Sequence, residues 1–250
     1  MKSIEYSKMA ETEDAYWWHV GRKKIIARQL KKTHSASGAD KTKTKLLNIG
    51  CGTGGTIPML SKFGELDNVE ISQEAIDICK GKGFLNVKKI DGIKLPFKSG
   101  SFDTAVALDV LEHIEDDDGA LKEWRRVLKD HGRLLITVPA YQWLWSEHDE
   151  SLHHFRRYTL SELHGKLNKA GFRVQKRTYA IIFSFPLIVG YRFFKSLMPN
   201  KNQAAAATSY VFLPKPVNAF FIGLLSLEAR MLQHINAPFG TSLLIIAEKI

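Results

Sequence analysis

Short apolar runs, bounded by turn residues, alternate with helical spacing along most of the chain. Seven of these runs predict strands: one that begins at Leu46, then 66–71, 87–90, 102–108, 133–138, 171–177 and 241–250. Helical spacing predicts helices over 56–63, after Ser72 as N-cap, over 118–128 and over 161–170. Strands that alternate with helices in this way predict an α/β fold with a doubly wound, mostly parallel sheet.

The N-terminal stretch has helical spacing over residues 10–32, and the polar stretch 33–45 is expected to be a linker. Tyr16, Trp17, Trp18 and His19 follow one another, so they cannot all lie on one buried side of a helix. Two interpretations remain open. The aromatic residues either meet a substrate, a lid or a membrane, or they dock this helix onto the domain. On the first interpretation, Trp17 and Trp18 are candidate substrate-binding residues.

The run LLNIGCGTG ends a buried strand in a glycine-rich turn, which we call the glycine turn (Gly50–Gly54). Its glycines allow positive φ and a close approach of a ligand to the backbone. The carboxyl end of a strand in an α/β sheet is where nucleotide-like ligands bind. A Walker-type phosphate loop is excluded, because no G-K-[ST] follows. Glu70 ends the second strand, where a carboxylate can accept both hydroxyls of a ribose.

Composition and charge narrow the class of protein. With 250 residues, 44% of them hydrophobic and 25% charged, the chain suits one large α/β domain with insertions. Two cysteines, and an N-terminus without the apolar core of a signal peptide, predict a cytoplasmic protein. The net charge of +10 comes entirely from residues 151–250, where only three residues are acidic: Glu162, Glu228 and Glu248. This excess either faces an anion, such as lipid headgroups or nucleic acid, or is a solvated basic face.

Five motifs in order carry a family resemblance: NIGCGTG, VEIS, IDGIKLPF, FDTAVALDVLEHI and RVLKDHGRLLITVP. The series resembles class I S-adenosylmethionine-dependent methyltransferases, and within them the small-molecule, ubiquinone- and menaquinone-methylase-like ("type 11") branch. The resemblance covers about residues 45–140, with a looser tail to Val174. It implies a Rossmann-like sheet of seven strands in which the last strand is antiparallel and lies between strands five and six. It also implies S-adenosylmethionine as the cofactor.

The resemblance assigns roles along the cofactor. The glycine turn would hold the methionine part, Glu70 the ribose, and Asp91 with Gly92 would lie at the adenine. Asp109 and Val110 would close the pocket after strand four. From its own position after strand four, near the cofactor, His113 is interpreted as a supporting hydrogen-bond partner rather than as the base. The predicted cofactor-binding set is Asn48, Gly50, Cys51, Gly52, Gly54, Glu70, Ile71, Asp91, Gly92, Asp109, Val110 and His113.

The acceptor side is predicted to be the loop 139–158, which follows strand five and should overhang the cofactor's methyl group. The candidate acid/base groups are His148, which we favour as the base, and His154, with Asp149 as a carboxylate partner. A base is needed only if the acceptor is protonated, as an alcohol or phenol is. No metal is predicted, because neither an H-x-x-x-H spacing nor a cysteine set is present.

The same loop carries candidates for substrate binding. Tyr141, Trp143 and Trp145 are expected to form an apolar wall. Arg156 and Arg157 are interpreted either as a bidentate clamp on a phosphate or carboxylate, or as caps of the helix that begins near Thr159.

A long insertion separates the last two strands and contains two apolar runs, 180–191 and 219–227. Both are shorter than the roughly 20 residues that span a bilayer. Basic residues flank them, which favours interfacial helices over the active-site mouth: Arg192, Lys195, Lys201 and Lys215. The alternative is a helical cap buried against the domain or in a dimer. The predicted parts are thus a helical cap and linker (1–44), a methyltransferase core (45–178), an apolar basic insertion (179–240) and a final strand (241–250).

The sequence therefore predicts an S-adenosylmethionine-dependent methyltransferase that acts on a small-molecule or lipid-linked acceptor, with an anionic membrane surface as a candidate partner. Its location would be the cytoplasm or the inner face of the membrane. The alternatives are an RNA-directed methyltransferase that uses the basic C-terminal region, and a non-catalytic cofactor-binding module. Nucleic acid is disfavoured, because Asp109-Val110-Leu111-Glu112 stands where base-directed enzymes carry N-P-P-Y, and no catalytic Pro-Cys motif occurs. The oligomeric state is left open.

Overall fold

The computed structural model describes residues 3–37, 44–190 and 213–250. Its strands are β1 (Lys45–Ile49), β2 (Glu65–Glu70), β3 (Val87–Lys89), β4 (Phe102–Leu108), β5 (Leu128–Pro139), β6 (Phe172–Ala180) and β7 (Ser242–Lys249). Its helices are α1 (Ser3–Thr12), α2 (Trp17–Ser37), α3 (Ile57–Leu60), α4 (Gln73–Gly81), α5 (Asp117–Val127), α6 (Glu147–Ser151), α7 (Leu160–Lys169) and α8 (Lys215–Met231). Short 3₁₀ turns lie at Ser61–Phe63, Leu111–His113 and Gln142–Leu144.

The strands form one seven-stranded sheet in the order β3-β2-β1-β4-β5-β7-β6. The first five strands in the chain pair in parallel, while β7 lies between β5 and β6 and is antiparallel to both. The predicted fold class and the place of the last strand are confirmed. β6 extends past its predicted end at Arg177, because its residues continue to pair with β7 as far as Ala180 and Ser242.

The core explains why the strand sequences are almost uninterrupted runs of apolar residues. Both faces of a strand are buried in such a sheet. Leu46 and Leu47 of β1, for example, point to opposite faces, and both are inaccessible to solvent. Trp124 of α5 is fully buried and donates its indole N–H to the carbonyl of Gly92 at 2.7 Å. This contact ties α5 to the loop after β3, next to the ends of the central strands.

The N-terminal region differs from the prediction. One helix over 10–32 was expected, but α1 ends at Thr12 and α2 begins at Trp17, so that interpretation is wrong. The break places Glu13 in a turn, where its carboxylate accepts hydrogen bonds from Thr53 and Gly55 and pairs with Lys82. The expected linker at 33–45 is also shorter than predicted, because α2 continues to Ser37, and its residues 38–43 lie outside the described residues.

The described residues of the insertion include two helical parts, at 185–190 and in α8. α8 packs against α2, and a Cβ at Gly21 would lie only 2.2 Å from Cδ1 of Leu225. Arg192, Lys195 and Lys201 lie outside the described residues. Among the described helices, none is both long and apolar enough to cross a membrane.

Candidate active site

A cavity of about 900 Å³ opens at the carboxyl ends of β1, β2 and β4. The glycine turn and Glu70 line one part of it, and His148 and His154 line another. Residues of α1 and of the start of α2 also line it, including Tyr6, Met9 and Trp18. The sequence predicted two groups of residues separately, one for a cofactor and one for acid/base chemistry. Residues of both groups line this one cavity.

The glycine turn needs its glycines for two separate reasons. Gly50 and Gly52 have φ of +69° and +55°, a region that glycine adopts more readily than residues with a Cβ. A Cβ at Gly50 would also lie 2.5 Å from Cγ2 of Val110, whereas one at Gly52 would have Met9 as its nearest neighbour, at 3.5 Å. The turn thus packs against the end of β4 at Gly50 and faces the cavity below α1 at Gly52.

Glu70 holds the turn from the end of β2. Its Oε2 accepts a hydrogen bond from the backbone N–H of Gly52 at 2.8 Å. Its Oε1 accepts hydrogen bonds from the N–H groups of Ile71 and Ser72 at 3.0 Å each. A carboxylate has about four lone-pair directions, so acceptor capacity remains for a ligand hydroxyl in the cavity.

A charged cluster lies at the ends of β4 and β5. Asp109 has φ +56° and forms an ion pair with Arg22 of α2, with Nη1 and Oδ2 2.5 Å apart. Thr137 donates a hydrogen bond to Asp109 at 3.0 Å and accepts one from Arg22. The guanidinium of Arg22 also lies over the ring of Trp18, 4.9 Å from its centre. α2 is in this way fixed at the strand ends by a cation that faces the cavity.

A second set of charges fixes His154. Oδ1 of Asp149 lies 2.9 Å from Nδ1 of His154, and Arg157 donates two hydrogen bonds to the two oxygens of the same carboxylate, at 2.7 and 2.9 Å. The Asp149 side chain is fully buried, and these two partners hold its pKa well below the usual range although burial opposes them. A carboxylate that is ionised and held in this way fixes the orientation of the His154 ring.

His113 and Glu112 lie beside His154, in the 3₁₀ turn that follows β4. The rings of His113 and His154 are 4.6 Å apart, edge to face. Burial, with the neighbouring His154, lowers the pKa of His113 to about 3, so its imidazole is neutral at physiological pH. Burial, together with the charge of Asp109, raises the pKa of Glu112 well above its usual value.

Most of the predicted site residues line this cavity: Gly50, Cys51, Gly52, Glu70, Ile71, Asp91, Gly92, Asp109, Val110, His113, His148, His154, Trp17, Trp18 and Arg157. Five do not: Asn48, Gly54, Tyr141, Trp145 and Arg156. Asn48 donates a buried hydrogen bond to Asn68 on the neighbouring strand. Gly54 packs against α4 and the residues that follow it, since a Cβ there would lie 3.1 Å from Sγ of Cys79 and 2.8 Å from Phe84.

The predicted aromatic wall does not face the cavity. Tyr141 stacks on Tyr179 of β6, with ring centres 5.0 Å apart, and also contacts Trp143 and Phe185. Trp145 is only partly buried and is absent from the cavity lining. The rings of Tyr141 and Trp143 pack the start of the loop onto β6 and the insertion, whereas His148 and His154 later in the loop line the cavity.

Neither interpretation of the two arginines as a pair holds. Arg157 does clamp a carboxylate with two hydrogen bonds, but the carboxylate is that of Asp149. Arg156 points away, to Asp117 and to the carbonyl of Glu115. Neither caps α7, whose N-cap is Thr159.

Comparison with known proteins identifies the domain. A family model described as a methyltransferase domain matches residues 47–136. The chain carries a class I S-adenosylmethionine-dependent methyltransferase domain. The sterol 4-C-methyltransferase strm-1 of Caenorhabditis elegans is 36% identical over 120 residues, which are 43% of this chain and 36% of that protein. The demethylmenaquinone methyltransferase of Staphylococcus aureus is 32% identical over 117 residues, which are 41% of this chain and 48% of that protein.

These matches are confined to part of each relative, since the chain spans between about a third and a half of their length. A solved structure of a SAM-dependent methyltransferase from Thermotoga maritima aligns over 100% of both chains, with a TM-score of 0.57 and 19% identity. At this identity the likeness is one of fold.

Three residues of the site of this methyltransferase domain were missed from the sequence: Glu13, Arg22 and Glu112. Glu13 and Arg22 belong to the N-terminal segment, outside the matched motifs, and nothing in their local pattern indicates that they reach the strand ends. Glu112 did carry a signal. It stands between Asp109 and His113 directly after β4, where a side chain of a parallel sheet meets the ligand edge.

Proposed function

We propose that this chain transfers the methyl group of S-adenosylmethionine to a small-molecule acceptor with an apolar body, of the sterol or quinone kind. The observation that carries the proposal is the single cavity that joins the glycine turn and Glu70 to the histidines after β4 and β5. The names of the relatives, a sterol and a demethylmenaquinone methyltransferase, support this acceptor class.

The residues around the glycine turn fit the cofactor. S-adenosylmethionine, when bound, supplies an electrophilic methyl group on a sulfonium sulfur. Gly52 leaves room beside Met9 for a ligand against the backbone, and Glu70 keeps acceptor capacity for ribose hydroxyls. Arg22 faces the same cavity and could bind a carboxylate such as that of the methionine part, since a guanidinium matches that geometry. Asp91 lines the cavity near Gly92, at the end proposed for the adenine.

The acceptor end would work by position and by proton removal. In-line methyl transfer depends chiefly on holding the acceptor atom against the methyl group, which the walls of the cavity under α1 would provide. His148 lines the cavity from α6 and is exposed to it, and we propose that it takes the proton of a hydroxyl acceptor. His154 is fixed by Asp149 and would position the acceptor instead.

We further propose that a lipid-like acceptor, or the membrane that contains it, meets the insertion. Large apolar side chains are exposed there, Leu187 in the first helical segment and Phe220 and Leu227 in α8. Ile188 lines the cavity, and Phe221 contacts Trp17, 5.1 Å between ring centres, which joins the insertion to the cavity. Flotation with liposomes, with and without anionic lipid, tests the idea, and a protein that binds neither contradicts it.

The free cysteines Cys51 and Cys79 support the proposed cytoplasmic location.

The cofactor assignment is tested by calorimetry with S-adenosylmethionine. Gly52→Val and Glu70→Ala should each weaken binding by at least about tenfold, because one fills the space at the turn and the other removes its carboxylate. Glu65→Ala, at the opposite, exposed end of β2, and Gly81→Val, where a Cβ would meet open space among the described residues, are the controls and should bind normally.

Equal binding of S-adenosylmethionine by all five proteins would show the cofactor assignment to be wrong.

The base is tested separately. His148→Ala should lower kcat while cofactor affinity stays unchanged, and an unchanged kcat removes His148 from this role.

A further inference from the structure

Three possible metal ligands meet at the acceptor end of the cavity. Glu112, His113 and His154, which we call the Glu112 cluster, each offer one ligand atom, and these atoms all lie within 4.8 Å of one another. Glu112 and His113 come from the 3₁₀ turn after β4, and His154 comes from the loop after α6. The hydrogen bond from the backbone N–H of Phe155 to the carbonyl of Glu112, at 2.8 Å, holds the two segments side by side.

Glu112 is the observation that points to a cation-binding role. Its side chain is fully buried, and neither carboxylate oxygen has a hydrogen-bond partner among the described residues. The acidic neighbours are already paired, Asp109 with Arg22 and Asp149 with Arg157. A buried carboxyl group without partners is costly, so a native protein that keeps one at a cavity wall calls for an explanation.

His154 is held as metal-binding histidines usually are. Nδ1 of His154 is occupied by Asp149, which leaves Nε2 as the free ring nitrogen. The ring of His113 packs edge to face on that of His154, and it offers one nitrogen to the same cluster. Metal ligands of this type almost always use their second nitrogen to bond a carboxylate or a backbone carbonyl. Arg157 in turn donates a hydrogen bond to Asp149, so the carboxylate that orients His154 is itself held in place.

We propose that Glu112, His113 and His154 bind one divalent transition-metal ion such as Zn²⁺, with coordination positions left open toward the cavity. Two neutral imidazoles and one carboxylate suit Zn²⁺ and its neighbours better than Mg²⁺, which prefers oxygen ligands. The ion brings two positive charges against the one negative charge of Glu112, so the occupied site attracts an acceptor oxygen and favours loss of its proton.

The metal role rests on the proposed methyl transfer. In that transfer the acceptor oxygen would gain its bond to the methyl carbon as the bond from that carbon to sulfur broke, and the acceptor's proton would pass to His148 and then to water. The ion is neither consumed nor oxidised. Metal binding itself needs no cofactor, so the two proposals fail separately.

The test is Zn²⁺ titration of the metal-stripped full chain by calorimetry, without cofactor or acceptor. Wild type should bind one equivalent, and Glu112→Gln and His113→Ala should each weaken binding by at least about 100-fold, because each removes a ligand. His131→Ala removes an exposed histidine near the amino end of β5, which does not line the cavity, and should bind as wild type does. The melting of each variant, followed by circular dichroism, shows whether it is folded.

X-ray absorption at the zinc edge of the wild type keeps the proposal testable even if a variant does not fold. Two imidazole nitrogens in the first shell support it. Sulfur in the first shell overturns it, because the ion is then at Cys51 and Cys79, which lie together beside the glycine turn. Failure to bind a stoichiometric ion also overturns it, whereas failure to bind S-adenosylmethionine refutes the proposed function alone.

Discussion

Two adjacent arginines give the sharpest test of the site's architecture. The change is Arg157→Met, with Arg156→Met as its matched control. Arg157 is nearly buried, with 8% of its side chain exposed, and it makes both of its carboxylate hydrogen bonds to the fully buried Asp149. The Arg156 side chain is 31% exposed, and its partner Asp117 keeps Lys166 and Tyr158 when Arg156 is removed.

The expected costs follow from burial. Removing one partner of a buried ion pair costs about 3–5 kcal/mol, because the other charge stays buried without compensation. Asp149 retains His154 and Ser146 as partners, which places the cost of Arg157→Met near the lower end, about 3 kcal/mol. Arg156 is partly exposed and Asp117 keeps its other partners, so removing Arg156 should cost no more than about 1 kcal/mol.

Urea unfolding followed by tryptophan fluorescence and circular dichroism measures both costs. For a chain of this size, a loss of 3 kcal/mol lowers Tm by about 6–12 °C, and a loss of 1 kcal/mol by about 2–4 °C. Equal losses of unfolding free energy in the two variants, or a larger loss for Arg156→Met, would refute the argument that the buried pair of Arg157 and Asp149 is the structurally important one.

Two further predictions concern α8. Gly21→Ala should lower the free energy of unfolding by about 1–3 kcal/mol, because its Cβ would overlap Leu225. Gly223→Ala on α8 should raise it by about 0.5–1 kcal/mol, because a Cβ there meets open space among the described residues. Urea unfolding measures both, and shifts of the same sign would contradict the packing. Burial raises the pKa of Glu228 from 4.5 to about 7 although it accepts hydrogen bonds from the backbone of Ile181 and Ile182. Its unfolded form ionises first, so stability should be complete below pH 4.5 and fall by up to about 3 kcal/mol as pH rises through 7. Glu228→Gln should lack this part of the pH dependence in thermal melts, and an unchanged profile would exclude Glu228 as its source.

The site as a whole depends on the N-terminal segment. Glu13 bonds the glycine turn, Arg22 pairs with Asp109, and Met9 lies over Gly52, so α1 and α2 cover the cavity from one side. The insertion holds this cover in place, because Asn218 of α8 accepts a hydrogen bond from the N–H of Trp17 and donates one to the carbonyl of Ala15. Two segments far apart in the chain thus close the same space.

The cofactor side could be predicted because its signals are local. A buried strand, a glycine turn and a helix form one continuous stretch, and positive φ at Gly50 restricts which residue can stand there. Glu70 is similar, since the last residue of a parallel strand meets the ligand edge wherever the rest of the chain lies. The order of apolar runs likewise determined the sheet, up to small differences at the ends of its strands.

The acceptor side depended on long-range packing. Arg156 and Arg157 are adjacent and chemically identical, yet only the second is directed inward, toward Asp149. Hydrophobic periodicity describes how a segment meets the core, but it does not specify which distant side chains become neighbours. His154 and Glu112 meet only because the loop after α6 folds back onto the end of β4. The sequence determined the fold and the place of the methyl donor, while the tertiary structure decided which polar side chains face each other at the acceptor end.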